Sequence, residues 1–229
     1  MRASDTGKLQ TYLESRTEEI DSEIIVRVSA ILQDVKTRRD DAVREYTQQF
    51  DGILLDSMRV EPSDIEAAAA KADPFFVESM KKAKANIEYY HNAQKQNGYL
   101  LQKELGIYLG QRVLPLDSVG IYVPGGRAQY PSSVLMNAIP ARIAGVKRIV
   151  MITPPAKDGS LHPNIAAAAQ IAGVDEIYKV GGAQGIAALA YGTQSIAPVD
   201  KIVGPGNVYV AAAKKLVFGK AVSYTHLRA

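Results

Sequence analysis

The apolar positions of residues 1–98 recur at helical spacing. From Asp21, the positions Ile24, Ile25, Val28, Ile31, Leu32 and Val35 form one stripe, as on a helix with one buried face. A second stripe, Ala42, Val43, Tyr46 and Phe50, is stopped by Asp51-Gly52. Ser63-Asp64-Ile65-Glu66 has the form of a capping box and predicts a helix start. Asp73-Pro74 predicts another, since proline at the first helical position gives up only an N–H that has no partner. The stripe that follows is Phe76, Met80, Ala83, Ile87 and Tyr90, with His91 at its edge.

Beyond Gly98 the pattern changes. Leu105-Gly106-Ile107 and the alternation from Tyr108 to Leu116 predict a short hairpin leading into a sheet, with Pro115 at an edge or strand end. From Val119 short apolar runs alternate with helical stretches. Strands are predicted at 119–123, 148–153, 176–180 and 201–203, and helices at 132–144, 163–172, 184–190 and 208–218. Gly145 and Gly173 stand where helices end on glycine, and Pro140 is expected to kink its helix. Alternating β and α predicts a parallel sheet whose βα turns share one edge. That edge would gather Pro124-Gly125-Gly126, Pro154-Pro155, Gly181-Gly182 and Gly204-Pro205-Gly206 around a crevice. Glycines admit a ligand to the backbone, and free N–H groups at helix starts favour anionic groups. Gly204-Pro205-Gly206-Asn207-Val208-Tyr209 has only the first two glycines of a dinucleotide fingerprint, with Tyr209 in place of the third. Ordinary tight turns explain these glycines as well as a ligand site does.

Composition narrows the function classes. The chain of 229 residues has no cysteine, which excludes a disulfide framework and thiolate chemistry and suits a reducing compartment. Its 27 basic and 24 acidic side chains are mixed along the chain, and Lys36-Thr37-Arg38-Arg39 runs straight into Asp40-Asp41. That is a solvated helix end, so no nucleic-acid partner is expected. No apolar run reaches the about 18 residues of a membrane span, and residues 1–10 lack an apolar signal core. The expected location is the cytoplasm. His91, His162 and His226 are the only histidines, and with no cysteine beside them they are not expected to act as zinc ligands. His91 fits a packed or solvated flank position, with a role as ligand or base the alternative; His162-Pro163 predicts a loop entering a helix.

Three collinear stretches carry a resemblance. GQRVLPLDSVGIYVPGGRAQYPSSVLMNAIPARIAGVKRIV (110–150), GGAQGIAALAYGT (181–193) and VDKIVGPGNVYVAAAKKLVFG (199–219) closely resemble histidinol dehydrogenase. DVKTRRDDAVREYTQQFDG (34–52) is similar to that family's early helical region, with Arg39 where a glycine is common. The resemblance runs from about residue 20 to Lys220; the tail 221–229 does not share it and looks foreign. It implies an α/β fold in which a helical N-terminal region is followed by an incomplete Rossmann-like parallel sheet of βα units. Residues 1–112 would belong to a domain completed by later sequence, and 113–220 would form the NAD-binding domain.

The resemblance further implies oxidation of L-histidinol to L-histidine through L-histidinaldehyde, the last steps of histidine biosynthesis, by a zinc-requiring homodimer using two NAD+. It assigns the NAD contacts to Tyr122, Gln184 and Asn207. A phenol packs and donates, and side-chain amides read ribose or amide groups. Tyr122 as a core residue and Asn207 as a plain helix N-cap are the alternatives. The family's GPSE-type motif, its zinc ligands (Gln, two His and an Asp) and its Glu-His acid/base pair have no counterpart in this chain. No catalytic residue and no metal ligand is therefore expected within it, and the chain by itself is expected to be inactive. A paralogous zinc/NAD dehydrogenase of another small alcohol, or a non-catalytic nucleotide- or phosphate-binding module, would share the same N-terminal pattern.

Overall fold

The computed structural model describes Gly7, residues 20–125 and residues 130–221. Gly126 of the first glycine turn and residues 222–229, with His226, lie outside the described residues. Helix α1 (Ser22–Arg38) starts where the Asp21 carboxylate accepts from Glu23 N at 2.9 Å, and it buries Val28, Ile31, Leu32 and Val35. Helix α2 (Asp40–Asp51) follows after one residue and ends on Gly52 in the left-handed region. Helix α3 (Pro62–Ala69) begins two residues earlier than the capping-box pattern predicts. Pro62 takes the first helical position and Glu61 the N-cap without a side-chain bond, so Ser63 lies inside the first turn. Helix α4 (Pro74–Asn92) is capped by Asp73, which accepts from Phe75 N at 2.7 Å and Phe76 N at 3.2 Å.

Strands β1 (Tyr99–Glu104) and β2 (Ile107–Gln111) form the hairpin, but it stands as its own two-stranded sheet with every residue exposed. The main sheet is built from β3 (Ser118–Tyr122), β4 (Arg148–Ile152), β5 (Glu176–Tyr178) and β6 (Lys201–Val203). These alternate with α5 (Pro131–Ile143), α6 (Pro163–Ala172), α7 (Gly182–Tyr191) and α8 (Val208–Leu216). Pairing is parallel throughout and the order is β5-β4-β3-β6. The chain steps outward from β3 to β4 and β5, then returns to the other side of β3. Such a reversal opens a crevice at the carboxyl ends of the two strands where it occurs.

Period-two alternation explains the layers. Ile121, Ile149, Met151 and Ile177 face α5 and α6, while Tyr122, Val150, Ile152 and Tyr178 face α7 and α8. Helices α1 and α2 pack over α7, and α1 also over α8; α3 and α4 cover α6, and α4 also covers α5. No residue of α3 or α4 is fully buried. Met80, Ala83 and Ile87 are half-covered, whereas Tyr90 of the same predicted stripe stays exposed beside His91. The backbone of residues 58–60 closes the β5 edge through Val60 N to Ile177 O at 2.9 Å and Lys179 N to Met58 O at 2.7 Å. At the other edge Ile202 N donates to Ala221 O at 3.1 Å.

Two polar clusters lock this arrangement. Arg39, between α1 and α2, has φ 58° and ψ −126°, a conformation natural to glycine. Its guanidinium compensates by donating to the carbonyls of Tyr191 at 2.9 Å and Gly192 at 2.7 Å, past the end of α7. Buried Asp40 accepts from Ser195 Oγ at 2.6 Å and from Ser195 N at 3.3 Å. At the amino end of the sheet, Arg148 Nε meets Glu176 Oε1 at 2.6 Å. Tyr178 Oη donates to Glu176 Oε2 at 2.8 Å, and it also lies 3.0 Å from Ser195 O.

Two stability predictions result. Arg39→Ala keeps the backbone penalty and loses both carbonyl bonds, so it should destabilise by about 1–3 kcal/mol. Arg39→Gly loses the bonds but relieves the backbone, and should cost less than about 1 kcal/mol. Urea unfolding of the two variants checks the order. The Arg148 hydrogen bond holds the Glu176 carboxyl below its ordinary 4.5, against the opposing effect of burial. A depressed carboxylate stabilises fully above that ordinary value and loses its contribution as pH falls through the folded value. Glu176→Gln should therefore lower stability at pH 7 by about 1–3 kcal/mol. It should also flatten the acid limb below about pH 4.5, measured as urea midpoint against pH.

Candidate functional site

The carboxyl ends of β3 and β6 meet where the strand order reverses. Gly204, just after β6, has φ 112°, and a Cβ there would collide with the Tyr122 carbonyl, so only glycine lets the two strand ends approach so closely. Pro154, after β4, lies under the other turns: a Cβ on Gly125 would stand 3.2 Å from its ring, and one on Gly181 would be closer still. The glycine turns after β3, β5 and β6 and the Pro154-Pro155 turn after β4 thus share one edge, with Gly126 outside the described residues.

Tyr122 ends β3 on the α7 side and is 4% exposed. Burial pushes its phenol above 10, the Asp51 carboxylate adds to this, and a hydrogen bond from Gly182 N–H opposes it. Gln184, in the first turn of α7, is 0% exposed. Neither its Oε1 nor its Nε2 has a hydrogen-bond partner among the described residues. The side chain folds against Gly182, whose φ of 60° and missing Cβ make room for it. A buried unpaired polar group costs about 1–3 kcal/mol, and most native ones have a functional or solvent explanation. Asn207 is exposed, and its Oδ1 accepts from Val210 N at 3.1 Å. Its carbonyl thus caps α8, and its NH2 makes no hydrogen bond to the described residues.

Two further residues belong to this region. Lys214 of α8 donates to Gly204 O at 3.0 Å and so ties down the β6 turn; burial lowers its ammonium below 10.5. Asp51, the last residue of α2, has a buried Oδ2 with no partner among the described residues, and burial raises its carboxyl above 3.8. In sequence, Lys214 is indistinguishable from its neighbour Lys215, and Asp51 is marked only as part of a helix-stopping Asp-Gly pair.

The histidines lie elsewhere. His162 caps α6, its Nδ1 accepting from Asn164 N at 3.2 Å, and His91 Nδ1 lies 2.7 Å from Gln94 Oε1. No group of three or more His, Cys, Asp or Glu side chains converges among the described residues. No helix among them is long and apolar enough to cross a membrane. A cleft of about 830 Å³ between residues 94–98, 113–116 and α5 includes none of Tyr122, Gln184 and Asn207.

Comparison with known proteins places this geometry. The family model for histidinol dehydrogenase matches residues 14–225, reaching both sides of the motif stretches and a few residues into the tail. Histidinol dehydrogenase of Listeria innocua is 60% identical over 197 residues, covering 86% of this chain and 46% of the relative. That of Clostridium acetobutylicum is 55% identical over 215 residues, covering 94% and 50%. The crystal structure of histidinol dehydrogenase from Elizabethkingia anophelis superposes with a TM-score of 0.83 at 38% identity, covering 90% of this chain and 48% of that one. The chain spans about half the length of the curated relatives it matches. With nearly its whole length inside the family match, and the same α/β architecture in the solved relative, this chain belongs to the histidinol dehydrogenase family.

Proposed function

We propose that the chain supplies the nucleotide-binding part of a cytoplasmic, NAD-dependent and zinc-requiring dehydrogenase. The full-length protein would oxidise L-histidinol to L-histidine through L-histidinaldehyde. Residues 113–220 form its nucleotide unit, and residues 1–112 contribute to a domain that later sequence completes. The observation that carries the reading is the Gln184 amide, wholly buried and unpaired beside the Gly181-Gly182 turn at the carboxyl edge of the sheet. An amide offers a donor and an acceptor together, which suits the carboxamide, ribose or adenine groups of a dinucleotide. Tyr122 contributes a ring face and a phenol, and Asn207 contributes the NH2 that capping leaves over. Bound NAD+ would supply the hydride acceptor, one NAD+ for the alcohol carbon and a second NAD+ for the hydrated aldehyde. The residues of this chain bind and orient; the proton acceptor and the zinc donors belong to the other half of the full-length protein. The described residues contain no donor set for zinc and supply no zinc-dependent step.

We also propose that the full-length protein is a homodimer. The hairpin β1–β2 exposes Tyr99, Leu100, Leu101, Ile107, Tyr108 and Leu109 together, and apolar surface of this kind marks an interaction face.

Gln184→Met in the full-length protein removes the orphaned amide at nearly constant volume. It should leave the ligand-free melting temperature unchanged or higher, and weaken NAD+ binding. Loss of one or two bonds of about 0.5–1.5 kcal/mol each corresponds to a few-fold to about tenfold loss of affinity. Asn207→Asp keeps the helix cap and removes the NH2, and should weaken NAD+ binding to a similar extent. Titration of both variants with NAD+, with zinc content measured alongside and expected to be unchanged, tests the reading. Unaltered affinity in both would place the cofactor elsewhere.

A further inference from the structure

The turn Gly204-Pro205-Gly206-Asn207 carries β6 into α8, and it is held at three points. Pairing between β3 and β6 ends at Ile121 and Val203, and the next residue, Gly204, lies so close to Tyr122 that a Cβ would collide with the Tyr122 carbonyl. At the far end Asn207 Oδ1 accepts from Val210 N at 3.1 Å, and a Cβ on Gly206 would strike the Val210 side chain. The third point is Lys214, whose Nζ donates to Gly204 O at 3.0 Å.

The helix alone does not explain that bond. Lys214 and Lys215 both stand in the last turn of α8, where the carbonyl end of a helix favours a cation. Lys215 is exposed there, whereas Lys214 reaches back toward the start of α8, the way helical side chains lean, to the residue that leaves β6. Burial disfavours its ammonium, and no carboxylate among the described residues offsets this. Gly204 is only half-buried, so water can serve its carbonyl in place of Lys214. The bond is therefore a weak source of stability. Its effect is to fix the path of the turn.

We propose that Lys214 is a positioning residue of the nucleotide site: by holding Gly204 O it fixes the β6 turn against Tyr122 and so sets the Asn207 NH2 in place for the cofactor. This rests on the cofactor reading of Tyr122, Gln184 and Asn207 above. A donor that is already in place loses less freedom on binding, which raises affinity without adding a contact. Lys214 itself need touch neither NAD+ nor substrate.

The test is titration of the full-length protein with NAD+, with ligand-free melting measured alongside. The variants are Lys214→Met, Lys214→Arg, Asn207→Ser, Gln184→Met and the double variant Lys214→Met with Asn207→Ser. Serine keeps an N-cap oxygen at residue 207 and removes the NH2. Lys214→Met should lose a few-fold to about tenfold in NAD+ affinity, the scale of one hydrogen bond, and melt near the wild-type temperature. Lys214→Arg keeps a donor of similar reach and should recover most of that loss. Because Lys214 acts through the turn that carries Asn207, the double variant should lose less than the product of the two single losses. A double variant that loses the full product means that Lys214 does not act through Asn207, and the proposal is wrong. It is equally wrong if Lys214→Met melts far below wild type or fails to fold, since the bond then serves the fold alone. If Asn207→Ser weakens NAD+ binding while Lys214→Met leaves it unchanged, the Lys214 assignment falls and the cofactor site stands. If Asn207→Ser, Gln184→Met and Lys214→Met all leave it unchanged, both readings fall together.

Discussion

A parallel sheet buried on both faces governs this molecule. Its strands are only three to five residues long, so each must be apolar on both sides and covered above and below. Four crossover helices supply the inner covers, and α1 to α4 lie over them. At the carboxyl edge the chain turns from strand to helix after each strand. Tyr122 and Gln184 stand at that edge, while the amino edge is closed by Arg148, Glu176 and Tyr178.

The same constraint explains what was legible in the sequence. The strands at 119–123, 148–153, 176–180 and 201–203 all formed, each within two residues of its predicted bounds. Helix 163–172 matches its predicted bounds, because Pro163 fixes the start and Gly173 the end. The glycine turns marked the carboxyl edge because Gly204 and Gly182 hold backbone conformations that side chains resist.

Local pattern failed where long-range partners decide. Arg39 looks like an ordinary basic residue on a solvated helix end, yet it holds a glycine-like conformation through carbonyls about 150 residues away in the chain. The hairpin 99–111 alternates like a sheet strand but pairs only with itself. Asn207 serves as a helix cap whether or not it also meets a cofactor, so its sequence context supports both roles. Asp51 was visible only as a stop signal, because its burial depends on how α2 lies against α7.

The buried and unpaired amide of Gln184 is the centre of the functional account, since a fold of this packing quality would otherwise pair or replace it. A crystal structure of the full-length protein with NAD+ bound tests that account most directly. It should show a nucleotide oxygen or nitrogen within about 2.7–3.2 Å of the Gln184 side chain, at the edge formed by Tyr122, Gly182 and Gly204. A nucleotide bound elsewhere, with Gln184 still buried and unpaired, would contradict it.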